Sequence, residues 1–290
     1  MPVGVITFDF DPVVKLGDSA SVRLETLALA VVLFLGLLLA AAVARRTPAP
    51  GSAEPAGTLR ADDLVFIVIG AVPGALLGGR IGYVLDHLPY YRDNTGAITD
   101  FSQGALGLTV AVPLAILSGG IIARLIGAPV GRWLHATAVP LLAVLAMAKL
   151  SGVLGATGQG LPATLPWATA YAGPGPWGSL APDVASHPSQ VYEAVLIGLA
   201  IVGLIAAGRL GVLARGNGGA LYLALGLWAL ARFVVAFTWR DPVAIGPLRI
   251  DQVLSLLVVA LAAIGLVERS RAPILTEGWA TGEAQPGAAE

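Results

Sequence analysis

The sequence has no cysteine. Disulfides, thiolate nucleophiles and cysteine-bound metals are therefore excluded, and the redox compartment stays open. Histidine is nearly absent too. His87, His135 and His187 are the three, none four residues from another, so no metal site can be read. Charge is scarce: Asp, Glu, Lys and Arg make up 12% of the 290 residues, about half of the ~25% usual in a soluble domain. The net charge of -1 offers no basic surface for nucleic acid. No glycine-rich nucleotide loop is present. What is there instead is apolar: 56% of residues are hydrophobic and the mean hydropathy is +0.81. Composition alone points to a membrane protein.

Seven apolar segments can be placed, at 26–44, 64–85, 105–123, 134–154, 190–207, 219–237 and 252–267. Most can cross about 30 Å of hydrocarbon, and the last must borrow a turn at one end. None alternates polar and apolar residues as a barrel strand does. The expected fold is all-α, a polytopic membrane protein with seven transmembrane helices. The first segment follows the polar, acidic stretch 8–25 rather than the short basic leader of a signal peptide, and reads as a retained helix.

Basic residues set the orientation. Arg45, Arg46, Arg60, Arg124, Arg132, Arg209, Arg215, Arg269 and Arg271 follow segments one, three, five and seven. Lys15, Arg23, Arg92, Arg240 and Arg249 lie in the N-terminal tail and the opposite loops. The excess puts the N-terminus outside and the C-terminus in the cytoplasm. The expected organisation is an extracytoplasmic tail 1–25 and a membrane domain 26–267, followed by a disordered cytoplasmic tail 268–290. The membrane domain carries a cytoplasmic linker 45–63 and a long periplasmic loop 155–189. Gly70, Gly74 and Gly78 recur every four residues, a smooth face for close helix packing. No internal repeat supports an inverted-repeat transporter.

Three cations fall inside segments: Arg80, Lys149 and Arg232. Each needs a partner, a wet cavity or a ligand at such depth. Arg80 and Lys149 sit near segment ends, where anchoring to headgroups is the alternative to a functional role. Arg232 is deeper. Glu193 is the carboxylate placed to pair with Arg232 or Arg80. It belongs to the polar opening of segment five, Ser186-His187-Pro188-Ser189-Gln190-Val191-Tyr192-Glu193-Ala194. That helix either has begun at His187 or takes Pro188 as its first residue with His187 at the cap. Asp251 reads as the cap of segment seven. Arg80, Arg232, His187 and Glu193 together would suit an anionic lipid headgroup. Arginine offers phosphate a fixed fork of donors, and a histidine or carboxylate can take a proton from a nucleophile.

The stretch His187-Pro188-Ser189-Gln190-Val191-Tyr192-Glu193-Ala194 resembles the HPSQLYEA stretch of the prolipoprotein diacylglyceryl transferase family. Gly79-Arg80-Ile81-Gly82-Tyr83-Val84 is similar to its GARLGYV motif, and Leu165-Pro166-Trp167-Ala168 to its LPWAV stretch. Arg232-Phe233 with Arg240-Asp241-Pro242 resembles its RFxxExxREP region, and Asp251-Gln252-Val253-Leu254-Ser255-Leu256 its GQxLS helix start. The resemblance spans about 64–267. Against the family signature GRIGNFINGE stand Ala148 to Thr157: Lys149 takes the arginine position, Gly152 and Gly155 the asparagines, and Thr157 the acidic residue. Gln103 takes the place of a family histidine, and Ala236 that of a glutamate.

The resemblance implies transfer of the diacylglyceryl group of phosphatidylglycerol to the lipobox cysteine of a lipoprotein precursor, with glycerol phosphate leaving. Carried over by position, the expected catalytic residues are Arg232, Lys149 and His187. The expected substrate-binding residues are Arg80, Tyr83, Gln103, Gln190, Tyr192, Glu193 and Arg240. No cofactor or metal is expected. The implied partners are phosphatidylglycerol and prolipoprotein signal peptides. A monomer in a bacterial cytoplasmic membrane is expected, its active face outward. The alternative is a relative that has lost catalysis and binds a phospholipid or a membrane partner without transfer.

Overall fold

Each apolar segment becomes a helix in the computed structural model, which describes residues 4–17, 20–47, 58–100, 105–213 and 216–271. The long helices are α1 (Leu24–Ala44), α2 (Ala61–Asp86), α4 (Leu108–Leu125), α5 (Val130–Ser151), α6 (Ser189–Arg209), α7 (Gly219–Val235) and α8 (Ile250–Arg271). A short α3 (Leu88–Asp93) follows α2. All seven long ones are apolar and long enough to cross a membrane. The last, expected to be short, gains residues at both ends. Helix α6 starts at Ser189, beyond both starting points the sequence left open, His187 and Pro188, with Pro188 at the cap position. Asp251 is no cap: α8 begins at Ile250, and the Arg249 amide donates to Gln252 Oε1 at 2.9 Å.

The helices run alternately up and down. One end of the bundle carries the N-terminal segment and residues 152–188. The other carries Arg45, Arg46, Arg60, Arg124, Arg132, Arg209 and Arg269. Helix α2 lies along α4, and the glycine stripe explains how. A methyl on Gly74 would strike the Leu114 carbonyl, and one on Gly78 the Val110 carbonyl. These glycines let two backbones touch, which is how membrane helices gain van der Waals contact. The principal core lies among α5, α6, α7 and α8, around Leu142, Ile197, Ala224 and Trp228. A second cluster, with Ala44, Leu59 and Trp133, joins α1 to α5 at the arginine-rich end.

The tail is not loose chain. It forms strands β1 (Ile6–Phe8), β2 (Val13–Leu16) and β3 (Ala20–Arg23). Strands β2 and β3 pair antiparallel, Val13 opposite Arg23. Strand β1 pairs parallel with β4 (Thr169–Tyr171) from the long loop, Phe8 opposite Tyr171. The Phe8 ring stacks on Tyr171 at 5.2 Å, and Phe10 meets Trp177 edge-on at 5.2 Å. The loop is thus an ordered cap. The His187 amide donates to the Leu161 carbonyl at 2.9 Å while the His187 carbonyl accepts from the Gly160 amide at 2.8 Å, and the Gln159 amide donates to the Thr169 and Val184 carbonyls at 2.9 and 3.1 Å. Most of the expected linker, Gln103 and residues 272–290 lie outside the described residues.

Candidate functional site

The polar opening of α6 places Gln190 and Glu193 one helical turn apart on the inward face, and both are buried. Glu193 meets two cations. Its Oε1 accepts from Arg232 at 2.8 Å, and its Oε2 lies 2.9 Å from the Lys149 ammonium. Arg232 also donates to Asp251 Oδ2 and to the Thr109 hydroxyl, both at 2.9 Å. Thr109 in turn donates to Asp251. Four helices, α4, α6, α7 and α8, therefore converge on one guanidinium, and α5 adds the lysine. The formal charges Lys149, Arg232, Glu193 and Asp251 cancel, so the bundle tolerates ions at this depth. Trp239 covers the cluster: its ring lies 4.8 Å from the Arg232 guanidinium and 5.7 Å from the Lys149 ammonium.

A cavity of about 600 Å³ opens over this chain of charges. Lys149, Gln190, Glu193, Arg232, Trp239 and Arg240 line it, with Glu25, Thr157, Gln159 and Asp241. Of the two cations in the charge cluster, Lys149 is the more exposed, 24% accessible against 5% for Arg232. Arg240 lies at the rim and ties the cap down, donating to the Gly160 carbonyl at 2.6 Å and to Ser186 Oγ at 2.9 Å. Gln190 donates to the Tyr171 hydroxyl at 3.2 Å, and its buried carbonyl oxygen has no partner among the described residues. Burial pushes the Tyr171 phenol up to about 12, so it stays protonated at any physiological pH. Just before Thr157, Ala156 holds a left-handed backbone (φ 57°), which a non-glycine residue rarely adopts.

Of the expected residues, Arg232, Lys149, Glu193, Gln190 and Arg240 come together around this cavity. The other expected residues that the structure describes, Arg80, Tyr83, His187 and Tyr192, do not line it. Arg80 is buried, yet it donates to the Ile98 carbonyl at 2.7 Å and to that of Ala97, and lies 5.2 Å from the Tyr91 ring. It clamps the turn after α3. Tyr83 stacks on His87 at 4.2 Å. His187 faces away, into a separate surface cleft with Leu165 and Val184, and its Nδ1 lies 3.4 Å from the Tyr192 hydroxyl. Tyr192 accepts from Trp167 Nε1 at 2.7 Å. His187 and Tyr192 thus brace the cap. Gln103 is outside the described residues.

Polar residues of the site that were not expected there include Asp251, Thr109 and Glu25, with Thr157, Gln159 and Asp241 on the cavity wall. Asp251 had a readable signal. Two cations inside apolar segments, Lys149 and Arg232, need two carboxylates, and Glu193 supplies one.

The model of the prolipoprotein diacylglyceryl transferase family matches residues 13–268. A curated relative from Nitrobacter winogradskyi, named phosphatidylglycerol–prolipoprotein diacylglyceryl transferase, is 32% identical over 252 residues, 80% of this chain and 77% of the relative. One of the same name from Geobacter sulfurreducens is 30% identical over 224 residues, 73% of this chain and 81% of the relative. Another, from Trichormus variabilis, is 28% identical over 279 residues, 92% of each chain.

Proposed function

The chain belongs to the prolipoprotein diacylglyceryl transferase family, and we propose that it transfers the diacylglyceryl group of phosphatidylglycerol to a lipobox cysteine. Its cavity faces outward from a bacterial cytoplasmic membrane in this reading, with the N-terminus outside. The observation that carries it is the row Lys149–Glu193–Arg232–Asp251, which ends at an accessible ammonium on the cavity wall.

The chemistry asks for such an ending. A phosphodiester carries one negative charge. As sulfur bonds to the glycerol carbon and the carbon–oxygen bond breaks, a second charge develops on the departing phosphate. A cation fixed beforehand stabilises that charge without reorganising, the largest single source of catalysis in many enzymes. Lys149 has three donors, and Glu193 occupies one. The others meet the phosphate. Arg232, with its donors on Glu193, Asp251 and Thr109, is a positioning residue: it holds Glu193, which aims Lys149. Arg240 adds positive potential at the rim.

The test is transfer of radiolabelled diacylglyceryl from phosphatidylglycerol to a lipobox peptide by protein in phosphatidylglycerol nanodiscs. Wild type is expected to transfer, and Lys149→Met to lose about 10²-fold or more, the scale of one removed transition-state donor. A folded wild type that transfers nothing would sink the reading. The second reading is a phospholipid-binding relative without turnover. It is favoured by lysine at the signature's arginine position and by the lack of histidine on the described cavity wall. Tight phosphatidylglycerol binding with no product would select it.

A further inference from the structure

A thiol must lose its proton to attack carbon, so the transfer proposed above, on which this inference rests, needs a proton acceptor in the cavity. Free cysteine has a pKa of about 8.5, which leaves a few per cent thiolate at neutral pH. Among the described residues the cavity wall carries no histidine and no tyrosine. Its carboxylates are Glu25, Glu193 and Asp241. Glu193 is 1% exposed and held between Lys149 and Arg232, so protonating it would strand two cations. Asp241 lies exposed in the turn beyond Arg240.

Glu25 is different. It opens α1, and its side chain is 20% accessible. Its two hydrogen bonds both fall on Oε2, from the Thr157 hydroxyl at 2.7 Å and from Arg23 at 3.1 Å. Those bonds fix the carboxylate, and among the described residues Oε1 has no hydrogen-bond partner. The loop backbone is shaped around them. A methyl on Gly155 would strike the Glu25 carboxylate, and one on Gly178 the Thr157 hydroxyl. Thr157 stands at the acidic position of the signature, and the carboxylate now reaches that place from another helix. The other charged groups of the cavity are Lys149 and Glu193 from α5 and α6, Arg232 from α7, and Arg240 and Asp241 beyond it.

We propose that Glu25 is the general base of this chain, taking the proton from the acceptor thiol. The sulfur then bonds to the terminal glycerol carbon of the diacylglyceryl group. The bond from that carbon to the phosphate oxygen breaks, and its electron pair leaves with glycerol phosphate. Glu25 returns the proton to the departing phosphate, so the carboxylate is regenerated.

The test compares wild type, Glu25→Gln and Thr157→Val in phosphatidylglycerol nanodiscs, with a lipobox peptide, between pH 6 and 8.5. Glutamine keeps the shape and can still accept from Thr157. The expected loss for Glu25→Gln is about 10²-fold or more at pH 7, the usual contribution of a general base. The deficit relative to wild type shrinks steadily as pH rises, because the free thiolate grows about tenfold per unit below ~8.5. Thr157→Val, which loosens the carboxylate without removing it, loses about tenfold at unchanged phosphatidylglycerol affinity. The inference is overturned by a Glu25→Gln loss under threefold at pH 7, or by a deficit that stays constant with pH. Should Glu25→Gln not fold, Thr157→Val decides: wild-type turnover for it overturns the proposal. A wild type that binds lipid but transfers to no thiol overturns the underlying transfer reading instead.

Discussion

Replacing Arg232 by methionine tests the reasoning about the buried charges most directly. In the wild type the guanidinium satisfies Glu193 and Asp251 at once, at 2.8 and 2.9 Å, and both carboxylates are buried. Methionine fills much of the volume and none of the charge. Glu193 keeps Lys149. Among the described residues Asp251 keeps only the Thr109 hydroxyl, and it remains a buried anion facing a thioether. Breaking a buried pair from one side costs about 3–5 kcal/mol, since the remaining charge is left without compensation. Adding Asp251→Asn removes that stranded charge. The double variant should therefore be more stable than Arg232→Met alone, with a coupling of about 0.5–3 kcal/mol. The measurement is unfolding by sodium dodecyl sulfate in mixed micelles, followed by tryptophan fluorescence. Trp228 and Trp239, 5.7 and 4.8 Å from the guanidinium, report on the site. An Arg232→Met protein within about 1 kcal/mol of wild type would refute the account, as would strict additivity of the two substitutions.

The other predictions concern packing, the cap and the cavity. Gly74→Ala should cost about 1–3 kcal/mol by forcing α2 from α4, whereas Gly198→Ala, where a methyl meets open space, should be neutral or stabilising by up to ~1 kcal/mol. The same detergent titration separates them. Arg240→Ala should expose residues 156–188 to chymotrypsin, at Trp167, Tyr171 and Trp177, several times faster than wild type. Trypsin would miss this, because that stretch has no lysine or arginine. Tyr171→Phe leaves the Gln190 amide without its partner and should destabilise by about 1–3 kcal/mol.

The membrane-spanning part was legible because hydropathy over some twenty residues is a strong signal, and the glycine stripe because small residues at fixed spacing have few other uses. Strands of three or four residues carry too little periodicity to be read, so the folded N-terminal segment was missed. The site was half legible. A charge in an apolar segment announces that it has a partner but not which one. Lys149 and Arg232 share Glu193 across three helices, while Arg80 is satisfied by the backbone carbonyls of Ala97 and Ile98. Asp251 looked like a cap because a carboxylate at a helix start has that ordinary use. His187 drew attention as the histidine of a polar stretch, yet proline and cap packing turn it out of the cavity.

The parallel pairing of β1 with β4 has a consequence for assembly. Ile6 and Thr169 are partners although most of the membrane domain's first half is synthesised between them, and α1 packs chiefly on α5 rather than on its neighbour in sequence. Helix α1 thus waits through α2, α3 and α4 before its packing partner α5 is made. Residue 25 meets residue 157 only then, and Asp251 closes the charge row later still. The charge row behind the cavity is consequently complete only once α8 is made: a nascent protein is lipid-embedded long before it is competent, and truncation anywhere before α8 leaves Arg232 without one of its two anions.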